Sequence, residues 1–136
     1  MQHRMNQDGY WANGPQELEW IHEQAQETGV GFAMFPLSSN PNDMDAPLAA
    51  VFYMPPHFVL PRHAHACHRV EVVVEGSVLT NEGSLQPGDV SVSGPGEFYG
   101  PHTAGPEGSV TVEIFSTGRA VDGIYENSTP PQQANP

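Results

Sequence analysis

The chain has 136 residues, a length that fits one domain with a single hydrophobic core. Sixteen acidic residues against four basic ones give a formal net charge of −12, which repels phosphate backbones and anionic lipid surfaces. We therefore expect neither a nucleic-acid nor a membrane partner, and no apolar run is long enough to cross a bilayer.

Cysteine usage and the first residues bear on the cellular compartment. The single cysteine, Cys67, excludes an intrachain disulfide and fits a reducing environment. The residues after Met1 are polar and lack the apolar stretch of a secretory signal. The sequence therefore predicts a cytoplasmic protein.

The first predicted element is a helix over residues 15–28, preceded by a flexible N-terminus of residues 1–14. Asn13 or Gly14 can cap this helix, and Gly29 can end it in a left-handed conformation. A single helix ahead of β-structure typically covers a sheet edge or a subunit contact.

After the helix, the sequence favours short strands separated by turns. Fourteen glycines and fourteen prolines are more than a helical domain usually carries. The alternation is clearest at residues 109–116, where Val112 faces one way and Glu113 the other. Residues 117–136 are predicted to be a flexible tail. The predicted strands cover residues 30–37, 48–54, 58–60, 70–79, 90–93, 97–99 and 109–116.

Such a series of short strands predicts an all-β sandwich or barrel. Small barrels of this kind hold one ligand in the mouth. We therefore expect a small-molecule partner.

The densest group of chemically active side chains lies in residues 61–71. His63 and His65 are two residues apart, so they point to the same face of an extended chain. The same alternation puts Arg69 and Glu71 on one face of the following strand. Imidazole and carboxylate ligands suit Fe(II), Mn, Ni, Cu or Zn, so the pattern fits a metal site or a set of hydrogen-bonded histidines.

This segment resembles the first sequence motif of the cupins, with His63, His65 and Gly76 at the expected places. Residues 87–102 are similar to the second cupin motif and end in a Gly-Pro-His run at His102, as in single-domain cupins of the ChrR-like type. The resemblance implies a jelly-roll barrel (a double-stranded β-helix) with one N-terminal helix, in a domain of residues 15–116.

Two positions depart from the cupin pattern. The glutamate ligand of the first motif falls on Arg69, and the last histidine ligand of the second falls on Tyr99. A guanidinium stays charged and does not bind a metal. Nearby residues can replace both ligands, and the resemblance then implies a displaced metal set of His63, His65, His102 and Glu71.

The function that this resemblance implies is a metal-dependent enzyme acting on a small organic acid, a ring compound or a β-dicarbonyl compound. A dioxygenase with Fe(II) is the preferred analogy, and Zn, Mn, Ni or Cu are alternatives. Arg69 and Tyr99 would orient the substrate, and Glu71 would be the fourth ligand or a partner of the ligands.

Two other hypotheses use the same cavity without a metal. In an isomerase or cyclase, Arg69 would hold a substrate carboxylate or phenolate while Tyr99 and a histidine handle protons. In a sensor or binding module, the cavity would hold a ligand without chemistry.

The valines of the strand that carries Glu71 bear on oligomeric state. Val70, Val72 and Val74 lie on the face opposite to Glu71 and need cover. We therefore expect a homodimer.

Overall fold

The computed structural model describes residues 4–5, 11–12 and 19–126. Strands β1 (Arg4–Met5) and β2 (Trp11–Ala12) pair with each other in an antiparallel arrangement. In the described parts of the chain, every helix is too short or too polar to cross a membrane.

The helix α1 (Trp20–Thr28) lies against the strand that follows it. It ends at Gly29, whose φ of 100° lets its N–H donate to the carbonyl of Ala25, so the predicted end is confirmed. The predicted start and N-terminal caps lie outside the described residues. The helix approaches Gly31 so closely that a Cβ there would fall 2.1 Å from the carbonyl oxygen of Ile21, which only glycine permits.

Most of the strands belong to one antiparallel sheet. The strands after the helix, whether or not they belong to this sheet, are β3 (Gly31–Pro36), β4 (Leu48–Met54), β5 (Val59–Leu60), β6 (His63–Ala64), β7 (Arg69–Thr80), β8 (Gly83–Leu85), β9 (Val90–Ser93), β10 (His102–Phe115) and β11 (Ile124–Tyr125). The sheet has the order β3–β4–β10–β7–β8, with β5 paired to β10 and β9 paired to β7. Strands β6 and β11 pair separately.

The predicted strands over residues 48–54 and 90–93 match β4 and β9, whereas the one over residues 97–99 is wrong. In that segment only Tyr99 pairs, in a single bridge with His63. Glycines at positive φ stand on both sides of it, at Gly96 and Gly100, and interrupt an extended conformation.

The two faces of β10 differ in chemistry. Thr111, Glu113 and Phe115 are buried on the inner face, while Val112 is partly buried and Ile114 is exposed on the outer face, which confirms the predicted alternation. The inner face therefore carries polar groups inside the barrel. Apolar residues fill the rest of the interior in two clusters, which contain Phe52, Met54, Phe58, Leu60, Val73, Val78 and Ala104, and Leu48, Ala50, Cys67, Phe115 and Ala120.

The segment after β10 lies along the barrel. A 3₁₀ turn over Gly118–Ala120 leads to β11, where Ile124 pairs with Ala64 and Tyr125 pairs with His63. Part of the predicted tail thus belongs to a sheet. The sequence gives no local signal of this strand, because its pairing partner lies about 60 residues earlier. Residues 127–136 lie outside the described part of the chain.

Candidate active site

Three side chains from separate segments meet at one point inside the barrel. His63 lies on β6, His65 follows that strand, and Tyr99 lies in the loop bridged to it. The Tyr99 hydroxyl is 2.9 Å from Nε2 of His63 and 3.1 Å from Nε2 of His65. The sequence alternation predicted that the two histidines share a face, and the structure brings both onto the same phenol oxygen.

Backbone carbonyls fix the tautomers of the two histidines. Nδ1 of His63 lies 2.7 Å from the carbonyl oxygen of Pro61, and Nδ1 of His65 lies 3.0 Å from that of Ala120. A carbonyl oxygen only accepts, so each Nδ1 carries hydrogen and donates it. In the neutral rings, both Nε2 atoms are therefore acceptors.

The phenol of Tyr99 has one hydrogen for these two acceptors. Burial lowers the pKa of His63 to about 4 and lowers that of His65, so both rings are neutral at pH 7. Burial also raises the pKa of Tyr99 well above its ordinary value, so the phenol keeps its hydrogen. One of the two Nε2 atoms consequently faces the oxygen without receiving a hydrogen, and it can accept one from a ligand.

A buried ion group supports the tyrosine from behind. The Arg69 guanidinium donates to Glu71 at 2.6 Å and to Glu113 at 3.0 Å, and its central carbon lies 4.3 Å from the centre of the Tyr99 ring. These side chains come from the inner faces of β7 and β10, where Glu71 is directly opposite Glu113. The cation therefore fixes the ring over it by a cation–π contact.

The two carboxyl groups of this ion group differ in charge. Burial and a hydrogen bond with Glu113 raise the pKa of Glu71 to about 8, so Glu71 is protonated at neutral pH. Burial opposes ionisation of Glu113, but Arg69 and the hydrogen bond from Glu71 outweigh it and lower its pKa. One carboxylate thus balances one guanidinium, and the group has no net charge.

The predicted metal set is not assembled. His102 is buried, but its ring contacts the Tyr99 ring at 5.4 Å between centroids, and Glu71 is turned towards Arg69. Within residues 4–5, 11–12 and 19–126, no group of three His, Cys, Asp or Glu side chains is arranged to hold a metal ion.

The chemistry of the centre explains this outcome. A neutral phenol occupies the point to which both Nε2 atoms are directed. Arg69, at the motif position of a carboxylate ligand, adds a positive charge beside it. These residues therefore do not fit the metal that the cupin resemblance implies.

The cavities on the two sides of this centre have different walls. The larger has a volume of about 740 Å³ and is reached by His63, His65 and Glu113. The smaller, of about 270 Å³, is lined by Arg69, Tyr99 and His102, among others. The other lining residues of the larger cavity are Val30, Phe32, Phe52, Leu60, Phe115, Val121, Asp122, Gly123, Ile124 and Tyr125.

Sequence reasoning missed two residues of the site. The alternation places Glu113 on the face opposite to Val112, but its partner Arg69 is 44 residues away, and only the β7–β10 register shows the pairing. Tyr125 stacks on His63 with ring centroids 5.2 Å apart, from the segment predicted as a tail. The alternation of β10 could have singled out Glu113 as a buried acid, whereas no local signal marked Tyr125.

Comparisons with known proteins were made for the sequence and for the fold. No protein-family model matches the sequence, and no curated protein matches it. The structure matches 145 chains of solved structures. KdgF from Halomonas sp. has a TM-score of 0.53 at 21% identity, over 65% of this chain and 79% of that chain. An RmlC-like cupin from Shewanella frigidimarina has a TM-score of 0.52 at 25% identity, over 65% and 77%.

The chain has the cupin fold. The predicted all-β jelly-roll barrel with one helix is therefore confirmed. A variant of oxalate decarboxylase from Bacillus subtilis matches with a TM-score of 0.55 at 18% identity, over 76% of this chain. The chain spans only 28% of that protein. Identities this low establish the cupin fold alone.

Proposed function

We propose that this cupin is a metal-independent enzyme that moves protons on a small organic molecule, as an isomerase or a cyclase does. The observation that carries the proposal is the Tyr99 hydroxyl within hydrogen-bond distance of Nε2 of both His63 and His65. Burial keeps both imidazoles neutral, so one of them is available as a base at neutral pH. Both rings also line the larger cavity, where a ligand would meet them.

The single phenol hydrogen gives the two histidines different roles. The imidazole that accepts it is held in place, while the Nε2 lone pair of the other receives no hydrogen from the phenol. That nitrogen takes a proton from a carbon next to a substrate carbonyl and returns it to another carbon or to the oxygen. The proton leaves and re-enters the same molecule, so the reaction needs no oxidant or reductant.

Hydrogen exchange at an activated carbon tests this proposal. We expect chelator-treated wild-type protein to catalyse exchange of the α-hydrogens of 2-tetralone in D₂O, measured by NMR. Tyr99→Phe should lower the rate by about tenfold or more, because both imidazoles lose their shared partner. The matched control is Tyr53→Phe, since Tyr53 contacts only the ring of His22 on the helix side among the described aromatic pairs. Wild-type protein without exchange, or equal rates in both variants, would contradict the proposal.

A metal-dependent dioxygenase with Fe(II) is the second candidate. Two Nε2 atoms converge on one point, as metal ligands do, but the Tyr99 hydroxyl occupies that point, so metal uptake would require the phenol to be displaced. In that case the protein would take up about one equivalent of Fe(II), and His63→Ala/His65→Ala would abolish uptake without unfolding the barrel. Elemental analysis after removal of free metal separates it from the first candidate, which requires activity in chelator.

Three finer points belong to the same proposal. The Gly-Pro-His run that ends at His102 supports a relation to the ChrR-like single-domain cupins. The single cysteine supports a cytoplasmic location. A ligand-binding or sensor role without chemistry would follow if ligands bind and Tyr99→Phe changes nothing but their affinity.

A further inference from the structure

The larger cavity has an apolar and aromatic wall. Phe32, Phe52 and Phe115 line it together with aliphatic side chains. Its volume of about 740 Å³ lies in the range of sites that hold drug-sized ligands and exceeds what a two- or three-carbon acid fills. Its size and surface therefore suit a ring compound.

The charged groups that line this cavity are acidic, and one of them, Glu113, is balanced by Arg69 behind it. Glu113 and Asp122 line it, and no arginine does. The negative charge of Asp122 acts on two groups of the site. It opposes the lowering of the His65 pKa by burial, and it adds to the raising of the Tyr125 pKa by burial. A ligand carboxylate would lose its hydration here and face acidic groups without gaining a cation.

The arginines within residues 19–126 are already paired. Arg69 is balanced by Glu113 and lines only the smaller cavity of the two. Arg62 pairs with Glu126, and Arg119 pairs with Asp45. Residues 19–126 therefore offer the larger cavity no unpaired arginine to hold an anion.

The polar groups that remain select for a hydrogen donor and a flat ring. The Nε2 atom that lacks a hydrogen accepts one from a hydroxyl or enol group. Tyr125 lies nearly parallel to His63, at 29° between the ring planes, and its own ring also lines the cavity. An aromatic ligand can therefore stack in this wall.

We propose that the larger cavity binds an uncharged, largely apolar ring compound with a hydroxyl or enolisable carbonyl group, and that it rejects carboxylates of the same size. Of the three substrate classes that the sequence suggested, this proposal keeps the ring compound and drops the small organic acid. The reaction of such a ligand rests on the proposed function, whereas the ligand class itself is tested by binding measurements alone.

A matched pair of ligands tests the class. We expect 2-naphthol to bind the wild-type protein about tenfold or more tightly than 2-naphthoate at pH 7, measured by isothermal titration calorimetry. Asp122→Lys should raise the affinity for 2-naphthoate about threefold or more. Glu27→Lys makes the same charge change at an exposed site on α1 and should not.

The outcomes separate the ligand class from the chemistry. Equal affinities for the two compounds, no binding of 2-naphthol, or equal effects of Asp122→Lys and Glu27→Lys would overturn the ligand class. If 2-naphthol binds as expected but 2-tetralone exchange is unchanged in Tyr99→Phe, the ligand class stands and the proposed chemistry fails.

Discussion

Arg69 and Tyr99, which fall where the cupin resemblance implies metal ligands, make one unit in the structure. The guanidinium lies under the phenol ring, and the phenol hydroxyl joins the two histidines. Arg69 and Tyr99 are compatible with each other, since the guanidinium, which would repel a metal ion, attracts the face of the tyrosine ring. At the scale of single residues, the centre is a hydrogen-bonded site built around the Tyr99 hydroxyl.

Either of the two glutamates beside Arg69 should be able to balance its charge when the other is removed. In Glu113→Gln, Glu71 loses its acidic neighbour and ionises, so Arg69 keeps one carboxylate, and in Glu71→Gln it keeps Glu113. We expect each single change to cost about 1 kcal/mol of unfolding free energy. The double change leaves a buried cation unpaired and should cost about 3–5 kcal/mol. Urea unfolding of the four proteins checks this, and additive effects would argue against it.

The buried proton on Glu71 makes stability depend on pH. Its pKa is raised from an ordinary 4.5 to about 8, so the folded state holds a proton that the unfolded state releases between these values. The stabilisation is complete below pH 4.5 and is lost as pH rises through 8. We expect wild-type protein to lose more stability than Glu71→Gln between pH 5.5 and 8.5 in urea unfolding. Parallel pH profiles would show that Glu71 is ionised in the folded state.

At the scale of elements, the short strand β11 closes one side of the site. It pairs with β6 and sets the Tyr125 ring against His63. A two-residue strand adds little to the stability of the barrel, but it excludes water from the imidazole. Its effect should therefore be visible in the site before it is visible in unfolding.

Removal of the Tyr125 ring tests this role of β11. Because burial is what lowers the pKa of His63, Tyr125→Ala should raise that pKa from about 4 towards 6.5, measured by NMR titration of the ring protons. Tyr53→Ala is the control, since it also removes a tyrosine from a histidine ring, that of His22. An unchanged His63 titration in Tyr125→Ala would show that other groups bury the ring.

The sequence predicts those elements whose signal is local. The bounds of β4 and β9 follow from short strand-forming runs next to turn residues, and the inner face of β10 and the shared face of the histidine pair follow from period-two alternation. The spacing of the cupin-like segments also drew attention to Arg69 and Tyr99, which the resemblance places at ligand positions. The Arg69–Glu113 pair and the Tyr125–His63 contact depend on register between strands far apart in the chain, so local patterns do not contain them.

At the scale of the whole molecule, the outer face of three strands carries only aliphatic side chains over a continuous area. Val70 of β7 is flanked by Val92 of β9 and Ile114 of β10 in the strand register. Val92 is 77% exposed and Val90 is 56% exposed. The expected homodimer remains a prediction, and this face is the surface on which a second copy would bury them.

A charge placed on this face should prevent association. We expect wild-type protein to sediment as a dimer, with tighter association at higher salt, because screening weakens the repulsion between two chains of charge −12. Val92→Glu should sediment as a monomer. Val59→Glu changes another exposed valine, on β5, and should leave the dimer intact. A monomeric wild type at high concentration would refute the dimer.

The alternation of β7 and β10 also separates this face from the cavity, since the valines point outward while Glu71 and Glu113 point inward. Two copies joined through the valines would keep both cavity mouths uncovered. Occupancy of one copy would then have no effect on the other, so saturation curves should be hyperbolic with a Hill coefficient of about 1 and should coincide at every dilution.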